Sequence, residues 1–262
     1  MRLGDGFRRW LAIVLACGLI AAVLRWGMAA IGPEIRPVST AIAPLSFVPT
    51  RAAAIALTFE VNAAGPALNG VLRTLTAYGV PATCFVSGHL LTASPAAVTA
   101  MRQAGEEVEL AAPPGLGQPG NVAGVEATLR AETTALKRDA TTPHFVQAHP
   151  GGFAPQGFQE AQAAGLTVVG WSLDSEDWAQ PGADVIIGNV LGAAQAGDIV
   201  RLHATEQTVQ ALPAIIESLR ARHLQLVTLD GLLALSEGAA GGSVGSGATA
   251  SRASAAALGT PG

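Results

Sequence analysis

Residues 167–178, TVVGWSLDSEDW, start as an apolar run rich in β-branched side chains and end in two aspartates and a tryptophan. The run is typical of a buried strand, so Asp174 and Asp177 are predicted to lie where that strand ends. One interpretation is a capped turn, in which Asp174 or Ser175 accepts hydrogen bonds from free backbone N–H groups. The other is a functional site, in which one acid orients a histidine and Trp178 forms a wall of a sugar-binding cleft.

Six further apolar runs predict strands: AIALTF, ATCFV, EVELA, HFVQA, DIVRLH and QLVTL, which begin at residues 54, 82, 107, 144, 198 and 225. The segments between them have helical spacing, and in residues 65–79 and 206–223 the apolar side chains fall on one face. This alternation predicts an α/β protein whose parallel strands are joined by helical crossovers. Seven such units in under 200 residues favour one small β/α barrel over two domains.

The polar residues at the strand ends are the candidates for chemistry. Glu60 ends the first predicted strand and His203 ends the sixth. In β/α barrels the chemistry lies at the C-terminal ends of the strands, which places Glu60 and His203 at the same rim as Asp174 and Asp177. Considered alone, Glu60 is typical of a solvated strand end, and His203 is typical of a structural histidine. The functional interpretation therefore depends on the four residues lying at one rim.

The N-terminal part of the chain predicts attachment to a membrane. Trp10–Leu24 is uninterrupted apolar sequence that follows Arg8 and Arg9. Such a run approaches the length that spans a bilayer, and it predicts a signal anchor (a transmembrane helix) over residues 1–31 with its N-terminus in the cytoplasm. The rest of the protein is then extracytoplasmic. A cleaved signal peptide is the alternative.

Composition sets the remaining boundaries. Residues 32–50 contain four prolines and predict an extended linker, residues 51–235 form the predicted barrel, and the Gly/Ala/Ser-rich residues 236–262 predict a disordered tail. The net charge of the 262-residue chain is −4 and its basic residues are scattered, so nucleic acid is not predicted as a partner.

The predicted core, residues 51–235, resembles the polysaccharide deacetylase (NodB-homology) family and is most similar to its membrane-anchored sporulation subgroup, the PdaB type. The motifs that carry the resemblance are GLTVVGWSLDSEDW at 165–178, GDIVRLHA at 197–204, and ALTFE at 56–60 with the segment that follows it. The resemblance implies a distorted (β/α)7 barrel, NodB-like, and metal-assisted hydrolysis of an N-acetyl amide on a sugar.

The family mechanism assigns roles to the rim residues by resemblance. An Asp acts as base on a metal-bound water, a second Asp and two His hold the metal, usually zinc, and a His protonates the leaving amine. Here the base position is Glu60, the acid is His203, and Asp174 and Asp177 belong to the Asp-x-x-Asp-Trp motif with the substrate-binding Trp178. These five residues are the predicted catalytic and substrate-binding set.

The departures from the family pattern fall on the metal site. The three metal-ligand positions are Val61, Ala111 and Gly115, Ala148 replaces the Arg that pairs with the base, and Arg201 replaces the Leu of Leu-x-His. A zinc site needs about three protein ligands, so no cofactor is expected. The alternative is a substitute metal site at the rim, formed by Glu60, His149, His203 and Asp174.

The expected function is therefore split. The resemblance implies a cell-envelope protein directed at N-acetylated, peptidoglycan-like glycan, with a role in sporulation as one expectation. The degenerate metal site predicts weak or no deacetylase activity and favours a pseudoenzyme over a competent carbohydrate N-deacetylase. A non-catalytic protein that binds glycan or a protein partner through the former cleft is the alternative, and a metal-independent hydrolase that uses Glu60 and His203 is a third.

Overall fold

The computed structural model describes residues 43–117, 122–138, 141–149 and 155–241. The predicted signal anchor lies outside these residues, as do most of the predicted linker and tail. None of the helices in the described ranges is both long and apolar enough to cross a membrane.

A parallel β-sheet forms the centre of the fold. Its described strands are β1 Ala54–Val61, β2 Thr83–Val86, β3 Glu107–Ala111, β4 Phe145–Gln147, β5 Thr167–Val169, β6 Leu173–Asp174, β7 Ile199–His203 and β8 Gln225–Val227. The strand order is β5-β4-β3-β2-β1-β7-β6, and β8 pairs with the N-terminal part of β1. The sheet is curled into a half-barrel, which confirms the α/β class and the parallel sheet predicted from the alternating pattern.

Helices connect the strands. They are α1 Pro66–Tyr78, α2 Gly88–Ala93, α3 Pro95–Gln103, α4 Val122–Arg138, α5 Pro155–Ala163, α6 Ala183–Leu191, α7 Glu206–Ala221 and α8 Leu229–Gly241. The bounds of α1 follow from its sequence: Pro66 stands in its first turn, and Gly79 ends it with a left-handed φ of 58°. At the start of α7, the side chain of Thr205 accepts a hydrogen bond from the backbone N–H of Thr208.

The two faces of the sheet bury different apolar clusters. On β1, Ile55, Leu57 and alternate residues after them belong to an outer cluster that includes side chains of α1 to α7. Ala54 and Ala56 belong to an inner cluster, which Leu229 and Leu232 of α8 complete. Burial on both faces explains why β1 is a nearly continuous apolar run.

The run TVVGWSL, predicted as one strand, is two strands on opposite edges of the sheet, so that prediction was wrong. It ends as β5 at Val169 and resumes as β6 at Leu173. Gly170 lies against the segment before β1, where a Cβ would stand 2.5 Å from Ser46 Oγ. That segment pairs Leu45 with Val169, and this contact holds the chain where it leaves the first edge.

Candidate active site

The sheet register brings the two principal rim residues together. Glu60 of β1 lies directly opposite His203 of β7 in the parallel pairing. Asp174 ends β6, next to β7, and Asp177 begins a 3-10 turn, Asp177–Ala179, that follows β6. All four side chains therefore lie at the C-terminal rim of the sheet, where chemistry occurs in β/α folds.

Asp177 fixes the orientation of His203. Its carboxylate is fully buried, and one oxygen lies 2.7 Å from His203 Nδ1. The other oxygen accepts hydrogen bonds from the backbone N–H of His203 (2.7 Å) and from Thr208 Oγ1 (2.6 Å). Because Nδ1 faces Asp177, Nε2 is the nitrogen that His203 directs away from it.

Glu60 occupies the space in front of that free nitrogen. Its Oε2 lies 3.4 Å from His203 Nε2, and its Oε1 accepts a hydrogen bond from Asn62 Nδ2 at 3.0 Å. Glutamate is one methylene longer than aspartate, and the extra reach lets a β1 side chain approach the ring on β7. The site is thus a carboxylate–imidazole–carboxylate arrangement within two paired strands and one turn.

The arrangement shifts the pKa values of all three groups. The hydrogen-bonding interaction with the His203 ring lowers the pKa of Glu60 to about 2, although burial opposes this shift. Burial lowers the pKa of His203, but the two carboxylates outweigh it and raise the value to about 9. Burial also raises the pKa of Asp177, yet its hydrogen bonds from His203 and Thr208 bring it below its ordinary value. At neutral pH His203 is therefore a cation between two anions.

Asp174 has a different partner. Its Oδ2 lies 3.0 Å from Arg201 Nη2, and the guanidinium of Arg201 stacks on the Trp171 ring at 4.0 Å from the centroid. Arg201 is 2 % exposed, which makes it a buried cation on the same strand as His203. Asp174 also accepts a hydrogen bond from the backbone N–H of Glu176 at 3.0 Å, so the capped-turn interpretation of this acid describes part of its role.

Trp178 projects from a conformationally constrained turn. Its side chain is 59 % exposed, which is unusual for a tryptophan. Glu176 and Gln180 flank the turn with left-handed φ values of 57° and 53°, a conformation that non-glycine residues rarely adopt. Asn189 Nδ2 of α6 donates to the backbone carbonyl of Ser175 and ties the turn to the fold. Trp178 is thus held outward beside the Asp177–His203 pair.

The residues at the family's metal-ligand positions do not fit a metal. Val61 is fully buried in the outer apolar cluster, Ala111 ends β3 in the inner cluster, and Gly115 has a φ of 90° and no side chain. None of the three carries a donor atom on its side chain. Within the described ranges no group of three His, Cys, Asp or Glu side chains could hold a metal ion, and His149 is exposed. The substitute metal site stays a prediction.

The sequence interpretation missed the polar residues that support the rim. From the sequence Arg201 is only the replacement of a leucine, and Thr208 and Asn62 have no predicted role. The signal for Arg201 was present, because a charged residue two positions before His203 in a strand shares its face. No comparable signal marks Thr208, whose contact with Asp177 joins residues 31 positions apart.

Comparisons with known proteins agree with this fold. The sequence profile described as polysaccharide deacetylase matches residues 48–112. A chitooligosaccharide deacetylase of Bradyrhizobium sp. (strain ANU 289) is 32% identical over 176 residues, which are 60% of this chain and 80% of that protein. The peptidoglycan-N-acetylglucosamine deacetylase PgdA of Listeria monocytogenes is 28% identical over 68% of this chain, and the match spans 38% of PgdA.

This chain belongs to the polysaccharide deacetylase family. Its fold is also that of BA3943, described as a CE4 family pseudoenzyme from Bacillus anthracis, with a TM-score of 0.68 and 21% sequence identity over 73% of this chain and 69% of that chain. At this identity the likeness shows the fold alone. The family resemblance inferred from the sequence motifs is thereby confirmed, and the finer PdaB-type assignment stays a prediction.

Proposed function

We propose that this protein is a degenerate polysaccharide deacetylase that binds N-acetylated, peptidoglycan-like glycan and hydrolyses it weakly or not at all. The observation that supports this most directly is the contact between the carboxylate of Glu60 and the ring of His203. In the family reaction the base and the acid act on opposite ends of the scissile amide. Here they neutralise each other.

The pKa values quantify this neutralisation. Glu60, with a pKa of about 2, is a weak base toward water, because a general base works best when its pKa lies near the working pH. His203, with a pKa of about 9, keeps its proton, but its Nε2 faces Glu60 rather than open cleft. Without a metal to lower the pKa of an attacking water from about 15.7, this pair supplies little activation.

Glycan binding is the part of the ancestral function that the rim can retain. Exposed Trp178 offers a flat apolar surface of the kind that contacts sugar rings, and the Asp177 turn holds it in place. Two of the sequence relatives are named for chitooligosaccharide and peptidoglycan, which supports an N-acetylhexosamine polymer as the ligand.

Hydrolysis is tested by measuring acetate released from chitooligosaccharides and muropeptides by the full chain at high concentration, with zinc, cobalt or manganese added. We expect no release above that of the Glu60→Gln variant. Release that requires a metal and disappears in His203→Ala would identify a competent deacetylase. Release that survives a chelator but is lost in Glu60→Gln would favour the metal-independent hydrolase.

Binding is tested by retention on purified peptidoglycan. Trp178→Ala should lose most of the retention, whereas Val185→Ala, which removes another exposed apolar side chain on α6, should leave it unchanged. Retention that Trp178→Ala does not alter would exclude this rim as the glycan site and favour a protein partner instead.

The cellular setting is likewise a proposal. The apolar run Trp10–Leu24 supports anchoring of the chain in a membrane with residues 51–235 outside, and the apolar Val61 supports the PdaB-type sporulation subgroup, which also carries an apolar residue there. Membrane fractionation combined with protease accessibility of the intact cell surface tests the first. Expression timing and the spore-cortex composition of a deletion strain test the second.

A further inference from the structure

A buried cation lies directly beneath the rim. Arg201 is 2 % exposed and shares the inner face of β7 with His203, two residues further along the strand. Its guanidinium stacks on the Trp171 ring at 4.0 Å from the centroid, and its Nη2 lies 3.0 Å from Asp174 Oδ2. Trp171 itself packs against the inner apolar cluster. The ring therefore fixes the plane of the guanidinium, and the guanidinium fixes one oxygen of Asp174.

Stability alone does not explain this ion pair. Among the described residues, the buried Nε and Nη1 atoms of Arg201 have no hydrogen-bond partner. The preceding residue on the same face of β7, Ile199, belongs to the inner apolar cluster, so an apolar side chain suits this surface. Replacing a buried ion pair with apolar side chains is often neutral or stabilising, whereas such pairs in some proteins select one conformation. The contact between Arg201 and Asp174 therefore points to a conformation that it selects.

That conformation is found in the turn after β6. Asp174 Oδ1 accepts a hydrogen bond from the backbone N–H of Glu176 at 3.0 Å. From the other side, Asn189 Nδ2 donates to the backbone carbonyl of Ser175 at 3.0 Å. The carbonyl of Ser175 and the N–H of Glu176 belong to one peptide unit, so this unit is held at both of its polar groups.

The orientation of this peptide unit sets the direction of the turn. Glu176 has a left-handed φ of 57°, which is unfavourable for a residue other than glycine. A flip of the preceding peptide would return Glu176 to a favourable φ, because type II turns differ from type I turns by such a flip. The carbonyl of Glu176 accepts a hydrogen bond from the N–H of Ala179 at 3.0 Å, so a flip would move the 3-10 turn that carries Trp178. The hydrogen bonds of Asp174 and Asn189 oppose the flip.

We propose that Arg201 is a positioning residue for glycan binding. Through Asp174 it holds the Ser175–Glu176 peptide unit in the orientation that directs Trp178 outward. This inference rests on the proposed function, because it assigns the glycan to Trp178. Arg201 is buried and acts through Asp174, whose side chain is 28 % exposed, rather than by contact with the glycan.

The first experiment measures the affinity of the full chain for a chitooligosaccharide by calorimetry. Arg201→Leu and Asp174→Ala should each weaken binding about three- to tenfold, the cost of ordering a group that the free protein no longer holds. The double variant should bind as weakly as either single variant, because both changes break the same connection. Arg201→Lys, which keeps a charge on a long side chain, should bind more tightly than Arg201→Leu.

Thr58→Val is the matched control. Thr58 lies opposite Arg201 in the register of β1 and β7, is fully buried and donates a hydrogen bond to the carbonyl of Val200. Its loss should lower the stability of the fold and leave the glycan affinity unchanged. Wild-type affinity in Arg201→Leu, equal losses in Arg201→Leu and Thr58→Val, or losses that add in the double variant would each overturn the positioning role and leave glycan binding intact.

The second experiment needs no glycan. In NMR relaxation dispersion, the backbone amide of Glu176 and the indole N–H of Trp178 should show no microsecond-to-millisecond exchange in the wild type and clear exchange in Asp174→Ala, because the peptide unit is then free to flip. Asp174 is partly exposed, so this variant gives an answer even where Arg201→Leu fails to fold. Such exchange in a protein that binds no glycan would support the positioning role and refute the proposed function. Flat profiles in both proteins would overturn the positioning role.

Discussion

The two ends of the sheet hold carboxylates in opposite states. At the C-terminal rim, Glu60 and Asp177 flank His203 and have lowered pKa values. At the N-terminal end of β3, burial raises the pKa of Glu106 to about 7 and that of Glu109 to about 8. Asp177 is as deeply buried as Glu109, yet only the pKa of Asp177 is lowered. The presence of a cationic partner, rather than depth, separates the ionised acids from the protonated ones.

The N-terminal acids bind the backbone instead of a cation. Glu106 accepts a hydrogen bond from the backbone N–H of Ala82 at 2.6 Å. Glu109 accepts two, from the backbone N–H groups of His144 and Phe145 at 2.8 and 2.7 Å. These contacts join β3 to its neighbours and need only an acceptor oxygen, which a protonated carboxyl group retains. The difference indicates a structural role at one end and a site of ionic chemistry at the other.

The largest effect should come from breaking the C-terminal network. Asp177→Ala removes a buried acceptor of three hydrogen bonds and leaves the charge of His203 with Glu60 alone. We expect a loss of about 3–5 kcal/mol in the free energy of unfolding, the range for a buried ion pair that loses one member. Urea unfolding at pH 7 measures it. Asp184→Ala, which removes an exposed acid in the first turn of α6, should cost about 1 kcal/mol or less. Equal costs for the two variants would refute the network's role.

At the N-terminal end the corresponding change should stabilise the protein. The folded-state pKa of Glu109, about 8, exceeds its ordinary value of 4.5, so the fold retains the proton. The stability linked to that proton is present below about pH 4.5 and is lost as the pH rises through 8. Glu109→Gln keeps an acceptor oxygen without the ionisation and should gain about 2–4 kcal/mol at pH 8.

The comparison between two pH values isolates this effect. At pH 4 the wild type and Glu109→Gln should differ by less than about 1 kcal/mol, since the carboxyl group is then protonated in both folded and unfolded states. Unfolding curves at pH 4, 6 and 8 give the profile. A difference between variant and wild type that is the same at every pH would show that folding does not shift the pKa of Glu109, and the contrast between the ends of the sheet would disappear.

The fold and the rim differ in how far sequence could predict them. Alternating apolar runs and helical periods indicate a parallel sheet, and strands of known direction place Glu60 and His203 at one rim. The division of TVVGWSL could not be predicted, because it occurs where the backbone N–H of Gly170 donates to the carbonyl of Leu45, a residue far away in the sequence.

The roles of individual acids were harder to predict than their location. Asp174 and Asp177 lie in one motif, yet one holds Arg201 and the other holds His203. Their spacing in the sequence does not show which acid binds which cation. That depends on the 3-10 turn, which places the side chain of Asp177 inward. The sequence predicts the acids of β3 only as part of a strand, because a raised pKa depends on burial, which the sequence pattern does not give.

The smallest expected effect concerns the C-terminal rim and is a change in the pKa of His203. His203 faces two carboxylates, Asp177 at 2.7 Å and Glu60 at 3.4 Å, and the longer contact should contribute less. Glu60→Gln should lower the pKa of His203 from about 9 by about one unit while Asp177 maintains the rest of the shift. An NMR titration of the imidazole measures this pKa. Asn62→Ala, which removes only the hydrogen-bond donor to Glu60 Oε1, serves as the matched control and should change the pKa of His203 less.

If the titration of His203 is the same in Glu60→Gln as in the wild type, Glu60 does not hold the ring in solution. The Nε2 proton would then be free to reach a leaving amine, and the case for a self-neutralised site would rest on the metal-ligand positions alone.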